Sequence, residues 1–305
     1  MKNKQKYLFS TFIICCLLLG IELYLRIYWG FCDTILMQSS DKYEYIAQPN
    51  QERFRFRKYI YYNQYSMRSS EIKQASIKIL GFGDSVINGG AHTTQDSLAT
   101  SILSEKLSKD FNQDVQVCNI SAGSWGADNC FAYLQEQGDF DAKLIVLIVS
   151  SHDAYDNMDF QKVIDVHPSF PSKQSFSAIW ELFSRYLIPK IYGKKTPQGD
   201  HITKGNEFNS GFLNFYNYTQ NNGLPFFIYL HPDKKEVEGG CYDQQGKAII
   251  QFCQERNILL IQGINLEDLS CFRDNIHLNE YGQQILANAL LNEIEKIIQW
   301  NVDKN

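Results

Sequence analysis

The sequence predicts an α/β domain, a parallel sheet covered by helices on both faces, carried behind one membrane-spanning helix. Two observations predict it. Short apolar runs of strand length alternate about five times with stretches of helical apolar spacing in the later three quarters of the chain. Ahead of them, a lysine-rich tip leads into a long apolar run. At 305 residues the chain is long enough for one sizeable domain plus an anchor. The expected division is an anchor at 1–31, a juxtamembrane arm or hairpin at 32–74, and the main domain at 75–305, with an insertion at about 156–223. A formal charge of −5 gives no reason to expect a nucleic-acid partner.

At the amino terminus, Lys2, Lys4 and Lys6 precede an apolar run from Tyr7 to Ile21 that continues, interrupted by Glu22 and Arg26, to about Phe31. Those two charges are four apart on a helix, and Arg26 can snorkel toward the headgroups. No small-x-small cleavage site follows, and Cys15 and Cys16 lack the context of a lipid-modified cysteine, so the reading is a retained signal anchor. Lysines before the run place the amino terminus in the cytoplasm and the rest outside. Of eight cysteines, Cys15 and Cys16 fall in the span and Cys32 just beyond it. Cys118, Cys130, Cys241, Cys253 and Cys271 remain for the exported domain, leaving room for one bridge among the last three. No His/Cys group has zinc spacing, and neither a structural metal nor a cofactor is expected.

In the arm, Phe54 to Tyr62 partly alternates like an edge strand and is read as packing on the domain as a hairpin or extended arm, with an aromatic sugar-binding surface as the functional alternative. The first core strand is Ile77 to Phe82, closed by Gly81-Phe82-Gly83-Asp84-Ser85, whose glycines allow a sharp turn. A helix is expected from about Asp96 to Phe111, with Leu98, Ile102, Leu103, Leu107 and Phe111 on one face. A strand at Val115 to Asn119 runs into the small-residue loop containing Gly123-Ser124-Trp125-Gly126, and a helix covers about Asn129 to Gln137. Lys143 to Val149 is the kind of continuous apolar run that lies buried on both faces of a parallel sheet, and it ends in Ser150-Ser151-His152-Asp153. The insertion shows no core strand, has a polar stretch from Gly193 to Gly205, and could roof a site. Strands resume at Pro225 to Leu230 and Ile258 to Gln262, around a helix at about Gln244 to Glu255. A last helix starts at Asn279, a suitable N-cap.

The chemistry lies at the two ends of this domain. Ser85 follows the first strand at the carboxyl edge of the sheet, where open α/β sheets bind ligands. Asp274-Asn275-Ile276-His277 places a carboxylate and an imidazole on one turn before the last helix. A nucleophilic serine needs a base to take its proton, and the base needs a partner to fix its tautomer and stabilise its charge.

With these motifs the sequence resembles the SGNH, or GDSL-type, hydrolase superfamily. The resemblance covers most of Ile77 to Trp300 and rests on Gly83-Asp84-Ser85, the glycine loop after the second strand, the polar tetrad after the third, and Asp274-x-x-His277. It implies a flavodoxin-like three-layer α/β/α fold with a parallel sheet of about five strands. It implies Ser85 as nucleophile, His277 as base and Asp274 as orienting acid, with Asp84 and Asp153 in support. It also implies an oxyanion hole from the backbone of Ser85 and of Gly123 or Ser124, plus an asparagine side chain. Here the usual Gly-x-Asn-Asp reads Ser150-Ser151-His152-Asp153, so His152 stands where that asparagine is expected. A neutral imidazole can still donate one hydrogen bond, so His152 could serve, weaken or retire the site. Family members that pair an amino-terminal span with an external domain often act on O-acyl groups of carbohydrates. The implied partners are an acylated carbohydrate, or another small ester, and the membrane. Three readings stay open: an anchored esterase acting on O-acetyl groups of envelope or exopolysaccharide carbohydrate, an O-acetyltransferase using the same triad, and a catalytically silent polysaccharide-binding scaffold.

Overall fold

The computed structural model of the chain describes residues 2–74, 76–191 and 205–302. Of the expected polar stretch 193–205, residues 193–204 lie outside the described residues. The N-terminal helix α1 runs Lys2–Trp29. Among the described residues it holds the one segment, Lys4–Trp29, long and apolar enough to cross a membrane.

Two hairpins follow. Strand β1 (Met37–Ser40) pairs antiparallel with β2 (Glu44–Ala47), and β3 (Gln51–Arg55) with β4 (Lys58–Tyr62). The alternation from Phe54 to Tyr62 is the end of β3, a tight turn, and β4, so of the two forms expected for it, hairpin or extended arm, it takes the hairpin. Both turn residues, Phe56 and Arg57, are left-handed at φ 49° and 64°, a conformation that hairpin turns usually give to Asn or Gly. Packing holds them there: Phe56 stacks on His92, and the Arg57 guanidinium lies over Tyr28. The arm is not a loose tether, because Tyr43, Tyr45, Ile46, Ile60, Tyr62 and Met67 join the main core.

The five-stranded parallel sheet consists of β5 (Ile77–Gly83), β6 (Val115–Ser121), β7 (Leu144–Ser150), β8 (Phe226–His231) and β9 (Leu259–Gln262). Its order is β6-β5-β7-β8-β9, the doubly wound flavodoxin-like order. Fold and sheet order are those the resemblance to SGNH hydrolases implies. Along β7 the side chains alternate strictly between two cores, Ile145, Leu147 and Val149 on one side and Leu144, Val146 and Ile148 on the other. The first core is covered by α4 (Ala127–Gln137), α7 (Ser210–Asn222) and α9 (Gln244–Arg256), through residues such as Tyr133, Phe215 and Ile249. The second is covered by α3 (Ala99–Phe111) and α10 (Glu280–Val302), through Leu103, Leu107, Leu286 and Leu290. The helix expected from Asp96 is interrupted, since Leu98 is extended between a 3₁₀ turn at Gln95–Ser97 and α3. Asn279 caps α10, its side-chain oxygen accepting from Gly282 N at 2.9 Å.

All eight cysteines are free, which corrects the allowance for a bridge among Cys241, Cys253 and Cys271. The sheet separates the candidates. Cys253 is buried in the first core, Cys271 in the second, and Cys241 is exposed.

The insertion contributes a helix in three parts: α5 (Ala178–Glu181), widened π-helical turns over Leu182–Leu187, and α6 (Ile188–Ile191). Pro189 lacks the N–H that would bond the carbonyl of Arg185 and its ring crowds that carbonyl, so the widened turn falls where the helix must accommodate it. The short helix α8 (Lys234–Gly239) follows β8, and α2 is described with the site. Arm and insertion are locked by a buried ion pair. Arg55 Nη2 lies 2.5 Å from Glu181 Oε1, with side chains 1% and 6% exposed. The guanidinium is also sandwiched between Phe31 and Phe56. Replacing Glu181 with alanine strands this cation, and thermal unfolding in detergent should show a loss of about 3–5 kcal/mol. An unchanged unfolding midpoint would mean that the pair carries no net stability.

Candidate active site

In the sheet, β5 has β6 on one side and β7 on the other, so the chain leaves it in opposite directions after those two strands. Such a switch point opens a crevice at the carboxyl ends of the strands. Three loops meet there: Asp84-Ser85 after β5, Ala122-Gly123-Ser124 after β6, and Ser151-His152-Asp153 after β7.

Ser85 is the first residue of α2 (Ser85–Asn88), directly after the strand. Gly83 has to be glycine, because a Cβ there would sit 2.5 Å from the carbonyl oxygen of Ile148 on β7. Asp84 caps the short helix by accepting from Val86 N at 2.8 Å. Gly89, left-handed at φ 72°, ends it and donates to the Ser85 carbonyl. The serine is thereby turned toward the loop before α10. His277 Nε2 lies 3.0 Å from Ser85 Oγ, and His277 Nδ1 lies 2.9 Å from Asp274 Oδ2. Asp274 Oδ1 also accepts from the backbone N–H groups of Ile276 at 3.1 Å and His277 at 2.8 Å. Partial burial opposes ionisation of Asp274, but the hydrogen bonds from the His277 ring and from these backbone groups outweigh it and hold the carboxyl well below its usual range. It is ionised at neutral pH.

Ser85 and His277 open on a cavity of about 550 Å³ whose other walls include Gly123, Asn88, Arg273 and His92 from the domain. Phe170, Arg185 and Tyr186 of the insertion close it from above. Burial, then the charge of Arg273, pushes His92 down to about 4, so its ring is neutral at physiological pH.

The residues singled out in the sequence fall into two groups. Ser85, Gly123, His277 and, behind the imidazole, Asp274 form one continuous arrangement at the cavity. Ser124 is buried and does not line the cavity; it turns the loop with φ 60°. The arm supports that loop: Tyr45 donates its hydroxyl to the carbonyls of Gly123 at 2.9 Å and Ser124 at 3.2 Å, and Trp125 Nε1 donates to the Tyr45 carbonyl at 2.9 Å. Asp84, His152 and Asp153 form a second cluster beside the Ser85 turn. His152 Nε2 lies 3.5 Å from Asp153 Oδ1 and 3.9 Å from Asp84 Oδ2, and His152 is not a wall of the cavity. Both carboxylates are also used by the backbone, Asp84 at Val86 N and Asp153 at Ser150 N, 2.7 Å away.

Two buried basic side chains hold the surrounding loops, and sequence reasoning singled out neither. Arg68 is fully buried and donates to the carbonyls of Asn88, Gly90 and Thr93, fixing the chain that follows α2. His231, at the end of β8, is also fully buried. Its Nε2 faces the carbonyl oxygen of Ile276 at 2.7 Å, and its Nδ1 faces Glu267 Oε2 at 2.9 Å. A carbonyl facing one ring nitrogen and a carboxyl group facing the other favour the charged form of the ring. Burial opposes that charge, but the Glu267 carboxylate and the Ile276 carbonyl outweigh it and raise His231 above its ordinary value. Tyr229 completes the group by donating to Glu267 Oε1 at 2.5 Å. Ile276 adjoins His277, so this group holds the loop of Asp274 and His277 from behind. A buried histidine one strand away, with partners distant in sequence, leaves no local signal.

No protein-family profile and no curated protein matches the chain. Among solved structures, the psychrotrophic esterase EstA from Pseudoalteromonas sp. is 11% identical over 73% of this chain and 98% of its own, with a TM-score of 0.44. The lipase/acylhydrolase from Enterococcus faecalis is 13% identical over 72% and 96%, with a TM-score of 0.44. The acetyl-xylooligosaccharide esterase Axe2 from Geobacillus, as its R55A mutant, is 16% identical over 73% and 96%, with a TM-score of 0.42. Likenesses at this level bear on no residue role, and the chemistry of the site rests on its own geometry.

Proposed function

We propose that this chain is an SGNH-type serine esterase. The observation that carries the reading is the unbroken run of hydrogen bonds from Asp274 through His277 to Ser85 Oγ at the wall of a cavity large enough for a small ester. Ser85 Oγ attacks the ester carbonyl while His277 Nε2 takes its proton, and ionised Asp274 stabilises the imidazolium that forms. Backbone N–H groups of Ser85 and of the Gly123-Ser124 loop hold the oxyanion. Collapse expels the alcohol, which receives the proton from His277, and water then releases the acid from the acyl-enzyme by the same route. The proposed substrate is an O-acetyl group on an envelope or exopolysaccharide carbohydrate, with α1 spanning the membrane and the catalytic domain outside the cytoplasm. The family resemblance and the lysines ahead of the apolar run support that part. Incubation with p-nitrophenyl acetate and with an acetylated polysaccharide tests the reading. Free acetate should appear from both, whereas acetate recovered chiefly on added sugar acceptors would make the chain a transferase.

His152 is assigned here to the nucleophile turn, through Asp84 and Asp153, as a positioning residue. His152→Asn should then keep most of the activity, and His152→Ala should lower kcat by less than about 10-fold while lowering the unfolding midpoint. A loss of about 100-fold or more in kcat, with KM and the midpoint unchanged, would instead make it an oxyanion donor.

A further inference from the structure

The insertion helix is bound to α1 by the two charges that interrupt the apolar run. Glu22 accepts from Ala178 N at 2.7 Å, Ile179 N at 2.9 Å and Ser177 Oγ at 3.0 Å, and so caps the first turn of α5. Arg26 pairs with Glu22 at 2.8 Å and donates to the carbonyl of Phe176 at 2.7 Å. One turn along, Glu181 accepts from Cys32 N at 2.7 Å, just beyond the end of α1. Leu25, Phe31 and Ala178 fill the joint. The insertion helix therefore sits beside α1 at the level of residues 22–32.

That level carries the marks of a membrane surface. Tyr24, Tyr28 and Trp29 are exposed around the last two turns of α1, the position of the aromatic belt at a bilayer interface. The insertion helix presents Trp180, Phe183 and Ile191 on one outward face, 53%, 47% and 74% exposed, and Phe176 just before it is 81% exposed. Its opposite face carries buried Glu181 and the cavity residues Arg185 and Tyr186. A helix with one apolar aromatic face and one polar face beside the outer end of a span has the character of an interfacial helix.

We infer that residues 176–191 lie in the headgroup–acyl boundary of the membrane that α1 crosses, so that the roof of the catalytic cavity is itself a membrane-surface element. This rests on the reading of α1 as a span. Its consequence is that the substrate is an ester presented at the bilayer surface, and the site meets it there.

Tryptophan quenching in the full-length protein, reconstituted into phosphatidylcholine vesicles, tests the inference. The component of the emission that disappears in Trp180→Phe should be quenched by phospholipid brominated near the headgroup end of its acyl chains and spared by aqueous iodide. Ile14→Trp, made in the Trp180→Phe background, reports the span separately and should be quenched by bromine near the acyl terminus. Quenching of Trp180 by iodide and not by bromine, with the Ile14→Trp reporter deep in the bilayer, overturns the inference and leaves the span standing. An Ile14→Trp reporter open to iodide removes the span, and the inference falls with it.

Discussion

Ser85→Ala should lower kcat for p-nitrophenyl acetate by on the order of 10⁵-fold or more, with the unfolding midpoint unchanged. In the proposed reaction Ser85 Oγ, 3.0 Å from His277 Nε2, attacks the substrate, and the backbone of Ser85 helps to build α2. His277→Ala should cost about as much, and the double variant no more than either single one, because a serine without its base and a base without its serine are equally idle. Asp274→Asn belongs to the same unit. It should leave the fold in place but reduce kcat strongly, since the amide can favour the wrong tautomer at His277 Nδ1. Appreciable turnover by the Ser85 variant would place the nucleophile elsewhere.

His231→Leu should cost about 3–5 kcal/mol of stability, because it leaves the Glu267 carboxylate buried without its cation. It should also lower kcat by about 100-fold at nearly constant KM, as the Ile276 carbonyl loses its donor and the adjacent imidazole drifts from Ser85. A second substitution separates the two effects. Adding Glu267→Gln to His231→Leu removes the stranded charge and should restore much of the stability, yet kcat should stay low, since nothing again holds Ile276. A merely structural pair would recover both together. The pH dependence carries a definite sign. Because folding raises His231 above its ordinary 6.5, the stability it contributes is fully present below that pH and is lost as pH rises through the folded-state value. Wild type should therefore lose stability on the alkaline side relative to His231→Leu, and parallel curves would contradict the imidazolium.

The strands were legible in the sequence for a physical reason: a parallel strand covered on both faces is a contiguous apolar run, as Leu144–Ser150 shows, and its carboxyl end is where polar motifs gather. The meeting of Ser85, His277 and Asp274 was legible because Asp274 and His277 share one turn, and Ser85 lies two residues after Gly83, a glycine that a close strand contact requires. The arm was harder. Its alternation runs on through Phe56 and Arg57, and no Gly or Asn announces the turn, which depends instead on His92 and Tyr28 packing against it. Cysteine spacing likewise could not reveal that the sheet stands between Cys253 and Cys271. His231, Arg68 and the docking of Glu22 onto α5 were invisible for a shared reason, since each joins residues far apart in sequence whose neighbours show no motif.

The most direct test of the central claim is to treat the purified protein with a fluorophosphonate and to map the adduct by peptide mass spectrometry. The triad predicts a single adduct on Ser85 Oγ, formed in wild type and lost in His277→Ala although Ser85 is still present. An adduct on another residue, or equal labelling of Ser85 with and without His277, would contradict the activation of Ser85 by His277.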